Sequence, residues 1–458
     1  MIERRSALTG LGLGLTAGAM AGAPASAAEI ATIEAKLPPP VIGPRMNFAQ
    51  AEKIMTELGL DALVVGSGVN VYHAAGLDLT STRMGHGPVV FAVISRTDKQ
   101  RLSIVAPAFL YYYTIAQDLR DQPLPAYVYT APAEGTMPDG FAGEPKAEPL
   151  APFKDRGIAP LDEVEKMRSH VIDRTLMQQA ARSQLKFAMR KALEDAGAAK
   201  GRIGVDLPVT ERAVAEAVPE ASIVDADDAL RRIRPVKSEM EIGLMRYAAQ
   251  ANADAVLEAI KTVRAGGDVR DLRASYFAAV ARRGGRGVFM VIDRVSSPTF
   301  EAKFRDGQCF SIDCVSEFSG YHGDYARAVY VGEPSAHMKK VIKATAASWD
   351  AVRAMLKPGV TFADIRATGR ASLKGQNTDF NISFTPHSVG LFHNDHDGSS
   401  GLPSRDKEMV LEKGMVLSVD CPLLEAGNGG SSHLEDLTLI TADGGVQIND
   451  PGNRPIIV

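Results

Sequence analysis

The sequence predicts an α/β (α+β) chain of two domains, an N-terminal α/β unit followed by a strand-rich unit. Three observations predict it. Helix and strand patterns alternate through the first half of the chain. A long amphipathic helix pattern, LRRIRPVKSEMEIGLMRYAAQANADAVLEAIKTV, then opens a second unit, and short apolar strands carrying acidic residues dominate beyond it. At 458 residues, 45% hydrophobic and 23% charged, the chain can bury two or three full cores. No basic stretch offsets the net charge of −4, so there is no electrostatic footprint for nucleic acid.

Residues 1–28, MIERRSALTGLGLGLTAGAMAGAPASAA, join a twin arginine, Arg4 and Arg5, to a mild Gly/Ala/Leu run and the small residues Ala25, Ser26 and Ala27. That pattern predicts a Tat-type signal peptide and a periplasmic or secreted mature protein. The run is too short and Gly-rich for a membrane helix and is broken at Pro24, so no membrane partner is expected. Residues 29–45 are Pro-rich (LPPPVIGPR) and read as a linker.

The N-terminal domain is expected over 46–225. It opens with apolar residues at helical spacing up to Leu58, then a buried strand over 61–65 and a Gly-bounded turn. Strands follow at PVVFAVIS and RLSIVAP, then a helix over 175–197 and the strand IGVD. The second domain, 226–458, starts with the long helix, passes through strands and a helix over about 336–357, and finishes in three strand-rich segments.

The stretch SIDCVSEFSGYHGDYARAVYV places Asp313 and Asp324 on neighbouring apolar strands. A carboxylate buried in such a run is costly unless a proton, a cation or a metal compensates it. The three final segments add His387 in FTPHSVGLFHNDHDG, Asp420 in EKGMVLSVDCPLL and Glu435 in SSHLEDLTLI. Four carboxylates and one neutral imidazole balance two divalent cations, and oxygen-rich ligation with one histidine suits Mn, Fe, Co or Zn, as one ion or two. Cys309, Cys314 and Cys421 are too few for a disulfide framework, and strand alternation turns Cys314 and Cys421 away from the acids they follow.

With these residues the sequence resembles the pita-bread superfamily of creatinase, prolidase, aminopeptidase P and methionine aminopeptidase, over roughly 45–445. The resemblance implies a creatinase-like N-terminal domain and a C-terminal pita-bread domain. It also implies a metal set of Asp313, Asp324, His387, Asp420 (where a glutamate is usual) and a bridging Glu435, with Arg327 buttressing the site. Members often dimerise, which implies a homodimer.

Two departures bear on function. The peptidases carry a histidine before the first aspartate, whereas DRVSSPTF occupies that stretch here. They also carry one seven residues after the metal histidine, where this chain has Asn394 between His393 and His396. If the segment is extended, His393 and Asp395 share a face with His387, which favours His393 as the acid/base group; a bulge at Gly390 would favour His396 instead. His393 also has the spacing of the acidic base in a dimethylsulfoniopropionate lyase of the superfamily. By the same alternation His322 faces the pocket beside Asp324, as does His433 beside Glu435. His322 and Arg327 are expected as substrate contacts.

The expected activity is therefore metal-dependent hydrolysis of a C–N bond in a small molecule or short peptide such as an Xaa-Pro peptide, with His393, His396 and Glu435 as the proton-handling candidates. The alternative is a lyase that breaks a C–S or C–C bond with His393 as base, and a third reading is a metal-free, creatinase-like or binding-only relative.

Overall fold

The side chain of Asn47 accepts a hydrogen bond from the Gln50 amide and so starts the first helix, Phe48–Glu57, at the end of the Pro-rich segment. The computed structural model describes residues 37–38, 41–97, 100–118, 120, 123–133, 143–150, 154, 156–178, 181–297, 299–396, 409–449 and 454–458. The expected signal peptide lies outside these residues, as does part of the expected linker. Among them no helix is long and apolar enough to cross a membrane.

Six strands build the first sheet: β1 (Ala62–Val65), β2 (Phe91–Ser95), β3 (Leu102–Pro107), β4 (Ala126–Tyr129), β5 (Arg202–Val205) and β6 (Ser222–Asp225). Their order is β4-β3-β2-β1-β5-β6, with β1 antiparallel to β2 and parallel to β5. The alternation of β1 explains its unbroken apolar run: Leu63 and Val65 face one core, Ala62 and Val64 the other. The helix expected over 175–197 is instead two, Glu163–Leu176 and Leu185–Asp195. The intervening residue Arg182 donates its backbone N–H to Val128 O of β4, a bond that helical geometry would forbid.

A capping box at Ser238 and Glu241 starts the long helix Glu239–Ile260. That helix lies on the sheet that carries the two aspartates, formed by β7 (Arg286–Ile292), β8 (Gln308–Phe318) and β9 (Tyr321–Val331), with β14 (Ile456–Ile457) at its edge. Gly323 permits the close approach, since a Cβ there would lie 2.4 Å from Ala248 O and 2.5 Å from Asn252 Cβ. A third sheet comprises β10 (Thr385–Ser388), β11 (Val416–Asp420), β12 (Thr438–Ile440) and β13 (Gly445–Gln447). Helix Ala336–Met355 packs its Trp349 into the core that also holds Cys309 and Cys421, while Cys314 lies in the core under Glu239–Ile260.

Candidate metal centre

Register on each sheet puts acids side by side. On β8 and β9, Asp313 pairs with Ala326, two residues from Asp324, so both carboxylates leave the same face as diagonal neighbours. On β10 and β11, His387 pairs with Ser418, two residues from Asp420, with the same consequence. Glu435 joins the sheets: its backbone exchanges hydrogen bonds with Ala326, at 3.1 and 3.2 Å. Five residues spread over more than a hundred positions thus converge on one point.

His387 lies at the centre. Its Nε2 is 3.4 Å from Glu435 Oε1, 3.7 Å from Asp324 Oδ2 and 3.8 Å from Asp420 Oδ2. His433, 1% exposed, faces the same acids from the other side, its Nε2 3.7 Å from Glu435 Oε2, 3.7 Å from Asp420 Oδ1 and 3.8 Å from Asp313 Oδ2.

The electrostatics follow from this crowding. Burial, then the charges of Asp324 and Asp420, push Asp313 well above the usual carboxylate range, and Glu435 rises for the same reasons. Burial also raises Asp324 and Asp420, but His393 and His387 outweigh it at Asp324 and His387 outweighs it at Asp420, so both end lowered. Burial lowers His387, yet Asp420 and Asp324 reverse the sign and raise it to about 9; His433, where burial prevails, falls to about 4.

The donors fit a divalent cation. Asp313 Oδ1, Asp324 Oδ1 and Glu435 Oε2 are buried with no hydrogen-bond partner, a costly arrangement that a cation relieves. Three overlapping groups have ligand atoms within coordinating reach of one another: Asp313, His433 and Glu435; His387, Asp420 and Glu435; and Asp324, His387 and His393. Ser418, which the sequence does not single out, donates its hydroxyl to Glu435 Oε1 and fixes that oxygen.

His393 reaches the cluster by a different route from the one strand parity predicts. β10 stops at Ser388, and the chain turns back, with Gly390 N donating to Phe392 O at 3.0 Å and Asp395 N to Ser388 O at 2.8 Å. This turn delivers His393 Nε2 to 3.1 Å from Asp324 Oδ2, its ring 4.7 Å from that of His387 and edge-on to Phe289. The turn is held from behind, because Asp395 does not face the metal residues but pairs with Lys237 Nζ and, at 3.3 Å, with Arg234 Nε. Gly390 is required there, since a Cβ would lie 2.2 Å from both Asp395 Oδ2 and Lys237 Nζ.

Three expectations change. His396, a candidate acid/base group, is 3% exposed, accepts the Ser388 N–H at 3.3 Å and lies edge-on to Phe362; it supports the end of β10 outside the cluster. Arg327, an expected substrate contact, is 1% exposed behind Glu435, donating to Glu435 O at 2.9 Å and Asp436 Oδ1 at 2.7 Å. Its position on β9 turns it toward the backbone that presents Glu435. His322 is also buried, and both its backbone N–H and its Nδ1 meet Gly390 O, at 2.9 and 3.1 Å, so it steadies the turn that carries His393.

Residues 243–442 match metallopeptidase family M24, and that match spans every donor named above. Those residues belong to the pita-bread metallopeptidase superfamily. Pita-bread relatives include "Probable dipeptidase PepE" of Mycobacterium tuberculosis, 28% identical over 249 residues, 51% of this chain and 63% of that protein. Creatinase of a Bacillus species is 26% identical over 291 residues, 57% of this chain and 70% of its own length. The matched region thus spans less than two thirds of the PepE protein. Among solved structures, the prolidase of Pyrococcus horikoshii superposes with a TM-score of 0.61 at 18% identity, covering 89% of this chain and 99% of its own. A dipeptidase from the same organism gives 0.63 at 17%, covering 90% and 100%. The fold is therefore the superfamily's creatinase-like N-terminal α/β domain followed by a pita-bread domain.

Proposed function

We propose that this pita-bread protein is a metal-dependent hydrolase that cleaves a C–N bond in a short peptide, with Xaa-Pro dipeptides as the substrate class. The observation that carries the reading is the convergence of Asp313, Asp324, His387, Asp420 and Glu435 with buried, unpartnered carboxylate oxygens, beside the partly exposed imidazole of His393. These five residues would hold one or two ions of Mn, Fe, Co or Zn. Bound there, such an ion supplies Lewis acidity toward a carbonyl oxygen and eases deprotonation of water at neutral pH.

The side chains supply the rest. His393 is 36% exposed, so its ring is open to a substrate while Asp324 orients it through Nε2. It carries a proton to the departing nitrogen as general acid. Glu435 has Oε1 bonded by Ser418 and facing His387, and Oε2 facing His433, so we assign it to holding metal and leave proton transfer to His393.

Stripped protein reloaded with Mn, Co or Zn and incubated with Xaa-Pro dipeptides is expected to release free proline. An alkene product from small acyl sulfonium substrates, without proline release, would instead establish the lyase alternative. The same reading includes export through the Tat-type segment at 1–28 and a homodimer. The N-terminal sequence and native mass of protein recovered from the periplasm test both.

A further inference from the structure

We infer that His433 is itself a metal donor and that it defines the second of two metal positions, each with its own imidazole. This rests on the metal centre proposed above. It goes beyond the five-residue set by adding a nitrogen that the pattern of four carboxylates and one histidine lacks.

The geometry is oxygen by oxygen. Asp420 presents Oδ2 to His387 Nε2 at 3.8 Å and Oδ1 to His433 Nε2 at 3.7 Å. Glu435 does the same, with Oε1 3.4 Å from His387 and Oε2 3.7 Å from His433. Two carboxylates therefore stand between two imidazoles and give each of them one oxygen. Asp324 Oδ2, 3.7 Å from His387, completes the first set; Asp313 Oδ2, 3.8 Å from His433, completes the second. Each set has one nitrogen and three oxygens.

The separations are those of donors around a shared ion. With ligand bonds of about 2.0–2.2 Å, donor atoms lie about 3.0–3.8 Å apart for bond angles of about 90° to 130°. A charged hydrogen bond between imidazolium and carboxylate would instead close to about 2.7–2.9 Å. The bland alternative, a histidine satisfied within the core, requires a hydrogen bond on at least one ring nitrogen. His433 is 1% exposed, and neither Nδ1 nor Nε2 has such a partner. Backbone pairing of Glu435 with Ala326 fixes the segment that carries His433. Alternation along that segment places the imidazole beside the carboxylate, two residues away.

The test uses the full chain, stripped by chelator and titrated with Mn²⁺ or Co²⁺, with bound metal counted by elemental analysis and affinity measured calorimetrically. Wild type is expected to take two equivalents. His433→Ala should retain one, held by the His387 set, and weaken the second by at least about 100-fold. Added free imidazole should restore the second ion's Co²⁺ absorption. Circular dichroism and melting of the stripped variant check folding. Should His433→Ala misfold, His433→Gln and pulsed electron paramagnetic resonance of Mn²⁺-loaded wild type decide the point by the number of coupled imidazole nitrogens. Two ions bound with wild-type affinity by His433→Ala, or by a folded His433→Gln, overturn the inference while leaving the proposed centre intact. A wild type that binds no ion overturns both.

Discussion

His393 Nε2 lies 3.1 Å from Asp324 Oδ2, a bond between a turn and a strand that ties the proposed proton carrier to the metal residues. His393→Ala removes the proposed proton carrier. Turnover should fall by about 10²- to 10⁴-fold while metal content, measured by elemental analysis, stays at the wild-type level.

His396→Ala should behave in the opposite way. Its ring is buried against Phe362 and accepts the Ser388 N–H, so truncation leaves a cavity and an unpaired amide. A loss of about 2 kcal/mol in denaturant unfolding is expected, with turnover per folded molecule within a few-fold of wild type.

Alanine at Asp313, Asp324, His387 or Glu435 should each abolish or severely weaken metal binding, because every one removes a donor from a site with few spares. Asp420→Glu should keep metal or bind it more tightly. The Asp420 side chain is 27% exposed, which leaves room for the longer arm, and metal analysis of the purified variant reads the outcome directly.

Metal affinity should rise with pH through neutrality and level off only above about 9. Without an ion, His387 is raised to about 9 and holds a proton that an incoming cation must displace, and the raised Asp313 and Glu435 act in the same direction. Calorimetric titration in buffers of different ionisation enthalpy should register net proton release, and more of it at pH 6 than at pH 9.

The buried trio of Lys237, Asp395 and Arg234 gives a separate stability prediction. Burial alone would raise Asp395, but the two cations outweigh it and lower it, so its contribution is fully present above the unfolded value of about 3.9 and is lost as pH falls through the lower folded value. Asp395→Ala removes the carboxylate that faces both buried cations. It should cost about 3–5 kcal/mol in urea unfolding near neutrality and reduce turnover by releasing the turn that carries His393.

What the sequence made legible was the metal face. Acids set inside apolar strands have no bland explanation as a group, and the period of two places His433 beside Glu435, whereas Asp313 meets Asp324 through the register of β8 on β9. Strand parity fails after Ser388 because it assumes a strand, and the turn there is set by contacts remote in sequence. Lys237 and Asp395 are 158 residues apart, and neither position announces the other. Arg327 buttresses the site as the resemblance implies, but it is no surface for substrate, because the backbone of Glu435 covers the side of β9 on which it stands.

The division between strand-borne donors and loop-borne His393 has a consequence for how such a protein can diverge. All five expected donors are held by ladders and bridges of two sheets, whereas His393, the proposed proton carrier, hangs between Gly390 and Asp395, fastened at its base by Lys237 and His322. Substitutions at 391–394 leave both fastenings in place and disturb no metal-bearing strand. One inherited metal frame can therefore be refitted for a different bond, hydrolysed or eliminated, by exchanging four residues at its rim.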